Sequence, residues 1–254
     1  MTDQAKARIE AHTDTRTNAL TTAMIFAAGR GERMRPLTDT CPKPLLEAGG
    51  KPLIVWQIER LAQAGFHTIV INHAWLGEQL EHALGDGSRW NVRLCYSAEA
   101  EALETAGGIA QALPLLEEAG APAIFAAVSG DVYADFDYTR LRVHAQRLAA
   151  QPQPGLHLVM VPNPPFHADG DFALVGNTLS LDAAPRFTFG NIGLYDTRMF
   201  HALPRGTRRA LTPYYRETIA AGRGTGELYE GHWENVGTPA QLQELDRSLA
   251  AANR

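Results

Sequence analysis

A chain of 254 residues, 45% hydrophobic and 20% charged, is long enough to bury one ordinary core, or a compact pair, without covalent staples. Two cysteines, Cys41 and Cys95, are too few for a disulfide framework, no signal-peptide pattern precedes the first apolar run, and no stretch approaches the about 20 apolar residues of a membrane span, so a soluble protein of a reducing compartment, the cytoplasm, is expected. A net charge of −5 gives no general reason to bind nucleic acid, yet Arg30, Arg33, Arg35, Lys43 and Lys51 outnumber Glu32, Asp39 and Glu47 between Gly29 and Lys51, which points to a local anionic ligand.

Residues 1–21 are polar and lack a sustained apolar period, as in a mobile tail, and residues 22–254 read as a single domain. AMIFAAG (Ala23 to Gly29) is a short apolar run ending in glycine, the pattern of a strand buried on both faces. PLIVWQIERLAQAG (Pro52 to Gly65) carries a helical stripe, with Pro52 suited to the first turn and Gly65 to the stop. HTIVINHA then reads as a strand, WLGEQLEHALG as a helix, VRLCYSAE as a strand, GGIAQALPLL as a short helix and PAIFAAVSGD (Pro122 to Asp131) as a buried strand. Farther on, GLHLVMVPNP and RFTFGNIGLYD read as strands, with a hairpin-like FALVGNTLSL between them. TPYYRETIAAG is a helix, and Thr238, Pro239 and Gln241 open the last helix as a capping box. Alternation of strands and helices predicts an α/β fold, a mainly parallel sheet flanked by helices. In such sheets ligands sit beyond the carboxyl ends of the strands, where both the Gly29 loop and Asp131 fall.

AAGRGERMRPLT (Ala27 to Thr38) has the chemistry of a phosphate loop. Gly29 and Gly31 let backbone N–H groups approach a phosphate, and Arg33 and Arg35 add donors matched to phosphate oxygens. Two other phosphate motifs are excluded: the third glycine of a dinucleotide fingerprint would fall at Met34, and a Walker A loop needs Ser or Thr where Pro52 stands. The whole run AAGRGERMRPLTDTCPKPLL resembles the signature of the sugar-1-phosphate nucleotidyltransferases. The similarity continues through GGKPLIVWQIERLAQAG, LETAGGI, SGD and WENVGTPAQL, over roughly residues 23 to 245. Within that family, INHAWLGEQLEHALGDGSRW and LETAGGI are most similar to bacterial N-acetylmuramate 1-phosphate uridylyltransferases of cell-wall recycling. Relatives acting on mannose or heptose 1-phosphate share most of the pattern.

The resemblance implies a Rossmann-like nucleotidyltransferase fold with a small sugar-binding β subregion. It assigns Ala28, Gly29, Gly31 and Arg33 to the nucleotide, Lys43 of PKPL to the phosphates of both substrates, and Asp131 to Mg²⁺. Two anionic reactants must meet, and each needs its charge cancelled before in-line attack. Many relatives carry a second metal-binding aspartate where HWENVGT places Asn235. Either this neutral amide coordinates weakly, Glu234 shifts in, or the metal relies on Asp131 and the nucleotide. Glu99 stands where relatives often contact the base, and a carboxylate there accepts from uracil or guanine; a solvated loop glutamate is the plain alternative. Gly107 and Gly108 would admit the base or the sugar to the backbone, and family position suggests Asn163, Asp171, Gly190 and Asn191 for the sugar, although turn chemistry also explains Asn163 and Asp171. Asp135 and Asp137 are expected to cap the next helix. The nine histidines show no metal-ligand spacing, and His67, His73 and His82 are expected at the surface.

The reaction implied is direct transfer of a nucleoside monophosphate from UTP to a sugar 1-phosphate, catalysed by Arg33, Lys43 and Asp131. The rivals are a guanylyltransferase for mannose or heptose 1-phosphate and a catalytically silent nucleotide-sugar sensor. Small-molecule substrates are expected as the partners, with no nucleic acid, membrane or obligate protein partner.

Overall fold

The computed structural model describes residues 20–117 and 123–252. At its centre lies β1 (Thr22–Phe26), paired in parallel with β4 (Thr68–His73) on one side and β6 (Ile124–Ser129) on the other, while β5 (Arg93–Ala98) extends the sheet beyond β4 in parallel. Alternation along β1 explains its continuous apolar run. Ala23 and Ile25 join the core formed with Ile54, Ile58 and Leu61 of α1 (Leu53–Gln63), whereas Met24 joins Ala106, Ile109 and Ala110 of α3 (Glu104–Leu116). α2 (Gly77–Leu84) links β4 to β5. The chain adds strands to one side of β1 and then crosses to the other, so a crevice opens between β1 and β6 at their carboxyl ends.

Beyond β6 the sheet changes character. Among the described residues the main sheet has nine strands in the order β5-β4-β1-β6-β11-β8-β12-β10-β9, and β11 (Arg186–Asp196) runs antiparallel to both β6 and β8 (Leu156–Val161). β12 (Gly224–Leu228) runs parallel to β8, and the expected hairpin forms as β9 (Phe172–Val175) and β10 (Thr178–Ser180). The continuous parallel run therefore belongs to the first half, and β12 with β8 is the one parallel pair beyond β6 among the described residues. α4 (Leu141–Ala149) covers β6 and β11, and α5 (Thr212–Ala220) precedes β12.

Two short ribbons lack sequence periodicity because two or three residues are too few to show one. β2 (Glu47–Ala48) pairs with β3 (Lys51–Pro52), and β7 (Val132–Ala134) pairs with β13 (Trp233–Asn235). The second ribbon matters most, since it lays the WENVGT segment beside Asp131. In α6 (Pro239–Ala252) the Gln241 N–H donates to Thr238 Oγ1 at 3.3 Å, and Gln241 Oε1 accepts from the Gly237 N–H at 2.9 Å, one residue before the expected cap.

Several expectations change. Residues 1–19 of the proposed tail lie outside the described residues, but Leu20 is buried and Thr21 O accepts from the His67 and Thr68 N–H groups. Asp137 caps the turn at Tyr138–Arg140, accepting from the Thr139 N–H, whereas Asp135 accepts from Arg60 and the Tyr133 hydroxyl and caps nothing. His67 and His82 are exposed, but His73 is buried, its Nε2 2.8 Å from Glu81 Oε1, because β4 is covered on both faces.

Candidate active site

Two adjoining cavities of about 660 and 670 Å³ open at the carboxyl ends of β1 and β6. The first is lined by the loop after β1, including Ala28, Gly29, Gly31 and Arg33, and by Lys43 and Asp131. Asp171, Asn191, Tyr215, Trp233 and Asn235 line the second. Phe26, Arg33, Glu104, Thr105 and Ser129 border both, so two ligands bound side by side would meet at Arg33.

The basic segment sorts itself by geometry. The Arg30 guanidinium lies 4.5 Å from the centre of the Trp75 ring, Arg35 pairs with Asp39 at 3.1 Å, and Lys51 pairs with Glu59 at 2.7 Å. Only Arg33 and Lys43 of the five face the first cavity. Lys43 is 8% exposed and donates from Nζ to Asp131 Oδ2, so a buried ammonium and a strand-end carboxylate already share one corner. Gly31 makes that corner possible. Its φ of +67° is left-handed, and a Cβ there would lie 3.0 Å from Thr38 Cγ2 and 3.1 Å from Lys43 Cβ. A Cβ at Gly29 would meet nothing within 4 Å among the described residues beyond its chain neighbours, which leaves its backbone open to the cavity.

Asn235 reaches the same region through the ribbon. It pairs with Val132, and the Val236 N–H donates to Asp131 O at 2.9 Å. Strand alternation puts Glu234 on the other side of the ribbon from Asn235, and Glu234 Oε1 is bonded to His232 Nε2 at 2.8 Å. Asp131 in the first cavity and Asn235 in the adjoining second offer oxygen donors of the kind Mg²⁺ takes, one charged and one neutral, with room in the cavities for phosphate oxygens. The donor set therefore fits the ion.

Glu99 is neither a cavity residue nor a solvated one. It is 6% exposed; Oε1 accepts from Asn72 Nδ2 at 2.7 Å and Oε2 from the Leu103 N–H at 2.8 Å. Burial pushes its carboxyl above the ordinary range, against the pull of these bonds. Asn72 in turn accepts from the Ala27 N–H at 3.1 Å and lines the first cavity. Glu99 thus holds Asn72, and Asn72 holds the loop. Gly107 and Gly108 lie inside α3 and serve close packing: a Cβ at Gly107 would lie 2.3 Å from Thr207 O, and one at Gly108 2.7 Å from Asn72 Nδ2.

In the second cavity Asp171 accepts from the Phe189 N–H at 2.7 Å and contacts His167 Nε2 at 3.1 Å. Asn191 has φ +56° where the register of β11 against β8 shifts between Phe189 and Gly193, and this irregularity places it at the cavity. Asn163 and Gly190 stand behind the wall. The Asn163 amide bonds Ala168 O, Arg186 O and the Thr188 hydroxyl, and Gly190 O accepts from Trp233 Nε1 at 2.8 Å. Sequence reasoning missed Asn72, Ser129, Arg208 and Trp233 as lining residues. Asn72 and Ser129 end buried strands beside β1, a signal that strand-end logic already contained.

The family model described as "Nucleotidyl transferase" matches residues 22–166, which include the phosphate loop, Lys43 and Asp131. The chain is 49% identical over 234 residues to the N-acetylmuramate alpha-1-phosphate uridylyltransferase of Neisseria meningitidis serogroup B, covering 91% of this chain and 98% of that protein. It is 31% identical over 236 residues to a mannose-1-phosphate guanyltransferase of Aspergillus fumigatus, covering 85% of this chain and 61% of that one. A crystal structure of a putative glucose-1-phosphate thymidylyltransferase from Bacillus anthracis shares the fold, with a TM-score of 0.76 at 20% identity over 90% of this chain and 95% of that chain. The phosphate loop, its buried lysine and the strand-end aspartate fall inside the matched region, and the likeness continues through the second cavity, so the chain belongs to the sugar-1-phosphate nucleotidyltransferase family and is a nucleotidyltransferase.

Proposed function

We propose that the protein transfers UMP from UTP to N-acetylmuramate α-1-phosphate, releasing pyrophosphate, as a single catalytic unit of residues 22–254 in the cytoplasm, within cell-wall recycling. The observation that carries this reading is the match along nearly the whole of the uridylyltransferase from Neisseria, through both cavities. In this reading the first cavity takes the triphosphate and the second takes the sugar, so the two phosphates meet beside Arg33 and Lys43. A phosphate oxygen of the sugar 1-phosphate attacks the α-phosphorus of UTP; the new P–O bond forms as the bond to the β-phosphate oxygen breaks, and that electron pair leaves on pyrophosphate. A sugar phosphate is already anionic at neutral pH, so no side chain needs to remove a proton.

Catalysis is then positioning and charge compensation. The open backbone at Gly29 donates N–H groups to phosphate oxygens, Arg33 supplies a fork of donors, and Lys43 brings a fixed positive charge. Asp131 and Asn235 would hold Mg²⁺, which when bound neutralises charge on the α-phosphate. Asp171 and Asn191 supply polar groups for the sugar hydroxyls. Asn72, fixed by Glu99, keeps the nucleotide loop in place.

A pyrophosphate-release screen of four nucleoside triphosphates against a panel of sugar 1-phosphates tests the assignment. UTP with N-acetylmuramate 1-phosphate is expected to give the highest kcat/KM. A tenfold preference for GTP with a mannose-type phosphate would transfer the protein to the guanylyltransferase branch, by a margin of about 1.4 kcal/mol. Absence of turnover with every pair would make it a sensor.

A further inference from the structure

Outside both cavities, three elements bring together a group of polar side chains that the proposed reaction does not use. In the parallel pairing of β8 and β12, His157 stands opposite Thr225, and Glu227 lies two residues along on the same face. His144 of α4 stacks on the His157 ring, with centroids 3.7 Å apart and planes 15° from parallel. One donor atom from each of His144, His157 and Glu227 lies within 4.8 Å of the others.

The hydrogen bonds leave a specific deficit. Thr225 Oγ1 has one proton, which it gives to Leu156 O at 3.3 Å, so its contact with His157 Nδ1 at 2.9 Å takes the Nδ1 proton. In the neutral ring, His157 Nε2 is then a bare lone pair. It faces Glu227 Oε1 at 3.6 Å, and both atoms are buried without a hydrogen-bond partner among the described residues. His157 itself has no exposed surface. Two buried acceptors that face each other call for a cation between them.

We propose that His144, His157 and Glu227 form a binding site for a divalent transition-metal ion of the Zn²⁺ type, tying α4 to β8 and β12, with the half-buried His144 ring turning out of its stack on His157 to aim a nitrogen at the ion. Two imidazoles and one carboxylate suit a borderline ion and not Mg²⁺, which prefers oxygen alone. Donation of the second ring N–H of His157 to Thr225 is the usual support of a metal-bound histidine. Arg140 holds the other carboxylate oxygen, Glu227 Oε2, and leaves Oε1 for the ion. His144 is half-buried at the surface of α4, which supplies an entry path and a solvent position for a fourth ligand. None of the three residues lines either cavity, so the ion braces the fold and takes no part in transfer.

The test uses untagged full-length protein, stripped with chelator and held in excess Mg²⁺ so that hard-ion sites are occupied. Co²⁺ is titrated and followed by its visible absorption, and Zn²⁺ by thermal unfolding. One equivalent of Co²⁺ with intense four-coordinate bands is expected, together with a Zn²⁺-dependent rise in Tm. His144→Ala should weaken binding by about 100-fold or more, and Thr225→Val, which frees the His157 ring, by about 10- to 100-fold. Nucleotidyl transfer by His144→Ala should match the wild type, which reports an intact fold and separates this site from the proposed reaction. Equal titrations of wild type and His144→Ala would overturn the proposal, as would no four-coordinate Co²⁺ spectrum; a shared proton would then join His157 to Glu227.

Discussion

Arg33 and Lys43 differ from the other basic residues of their segment because both line the first cavity, and the carboxylate that Lys43 pairs with, Asp131, lines it too. Arg33→Ala or Lys43→Ala should therefore lower kcat, the charge being needed most as it builds on the transferring oxygens. The expected loss is about 3 kcal/mol, roughly a hundredfold in rate, and steady-state kinetics at saturating substrates read it directly. Near-normal kcat in both variants would place other side chains at the phosphates. Asn235 invites the opposite manipulation. Asn235→Asp adds a carboxylate beside Asp131 and should shift the Mg²⁺ titration of activity to lower concentration, while Asp131→Asn should abolish most turnover. An unchanged midpoint in Asn235→Asp would put residue 235 outside the metal's ligands. Tighter Mg²⁺ does not require a larger kcat, because an over-neutralised ion polarises the α-phosphate less.

At the level of elements, the site is an assembly of strand ends held by short connections. The loop after β1 is fixed at one end by Asn72 of β4 and near Lys43 by the left-handed turn at Gly31. Gly31→Ala should cost about 1–2 kcal/mol for the left-handed backbone alone. The added methyl would also press on Thr38 and on the Lys43 side chain, so kcat should fall together with stability. Denaturant unfolding and kinetics on the same variant check both arms; wild-type values in both would show that the turn is not constraining. The β7–β13 ribbon plays the corresponding part for Asn235, and it brings the carboxyl-terminal segment to a strand end 100 residues earlier in the chain.

For the whole molecule, the apolar interior makes stability depend on pH through groups it keeps neutral. Tyr195 and Tyr215 bond hydroxyl to hydroxyl at 2.8 Å in the core, and burial pushes both phenols above their ordinary range. A raised folded-state pKa means that stability is complete below the unfolded phenol value of about 10 and is lost as pH rises toward the folded value. The protein should thus lose stability above about pH 10. Changing both residues to Phe removes the pair together, a nearly neutral exchange at pH 7, and should flatten the alkaline loss. Chemical unfolding of the two proteins at pH 7 and in alkali measures this, and parallel losses would assign the alkaline transition to other groups. Glu99 obeys the same sign: its raised carboxyl opposes folding once ionised, a cost accepted where Asn72 must be held.

By itself the sequence determined the strand-helix alternation of the first half, the strand of Arg186–Asp196, the capped last helix and the glycine-bearing loop that lines one cavity with Lys43 and Asp131. Those features are local: a buried strand must be apolar throughout, a left-handed turn asks for glycine, and a cap needs its residues at fixed spacing. Only the tertiary structure decided which charges reach the cavity, because Arg30 lies over the Trp75 ring while Arg35 and Lys51 pair with Asp39 and Glu59, contacts that sequence spacing alone does not select. It likewise turned Glu99, Gly108 and Asn163 from expected ligand contacts into supports, since burial and hydrogen-bond partners come from segments distant in the chain. His144, His157 and Glu227 have no common spacing, and they meet only because strand register and helix packing place them on one face.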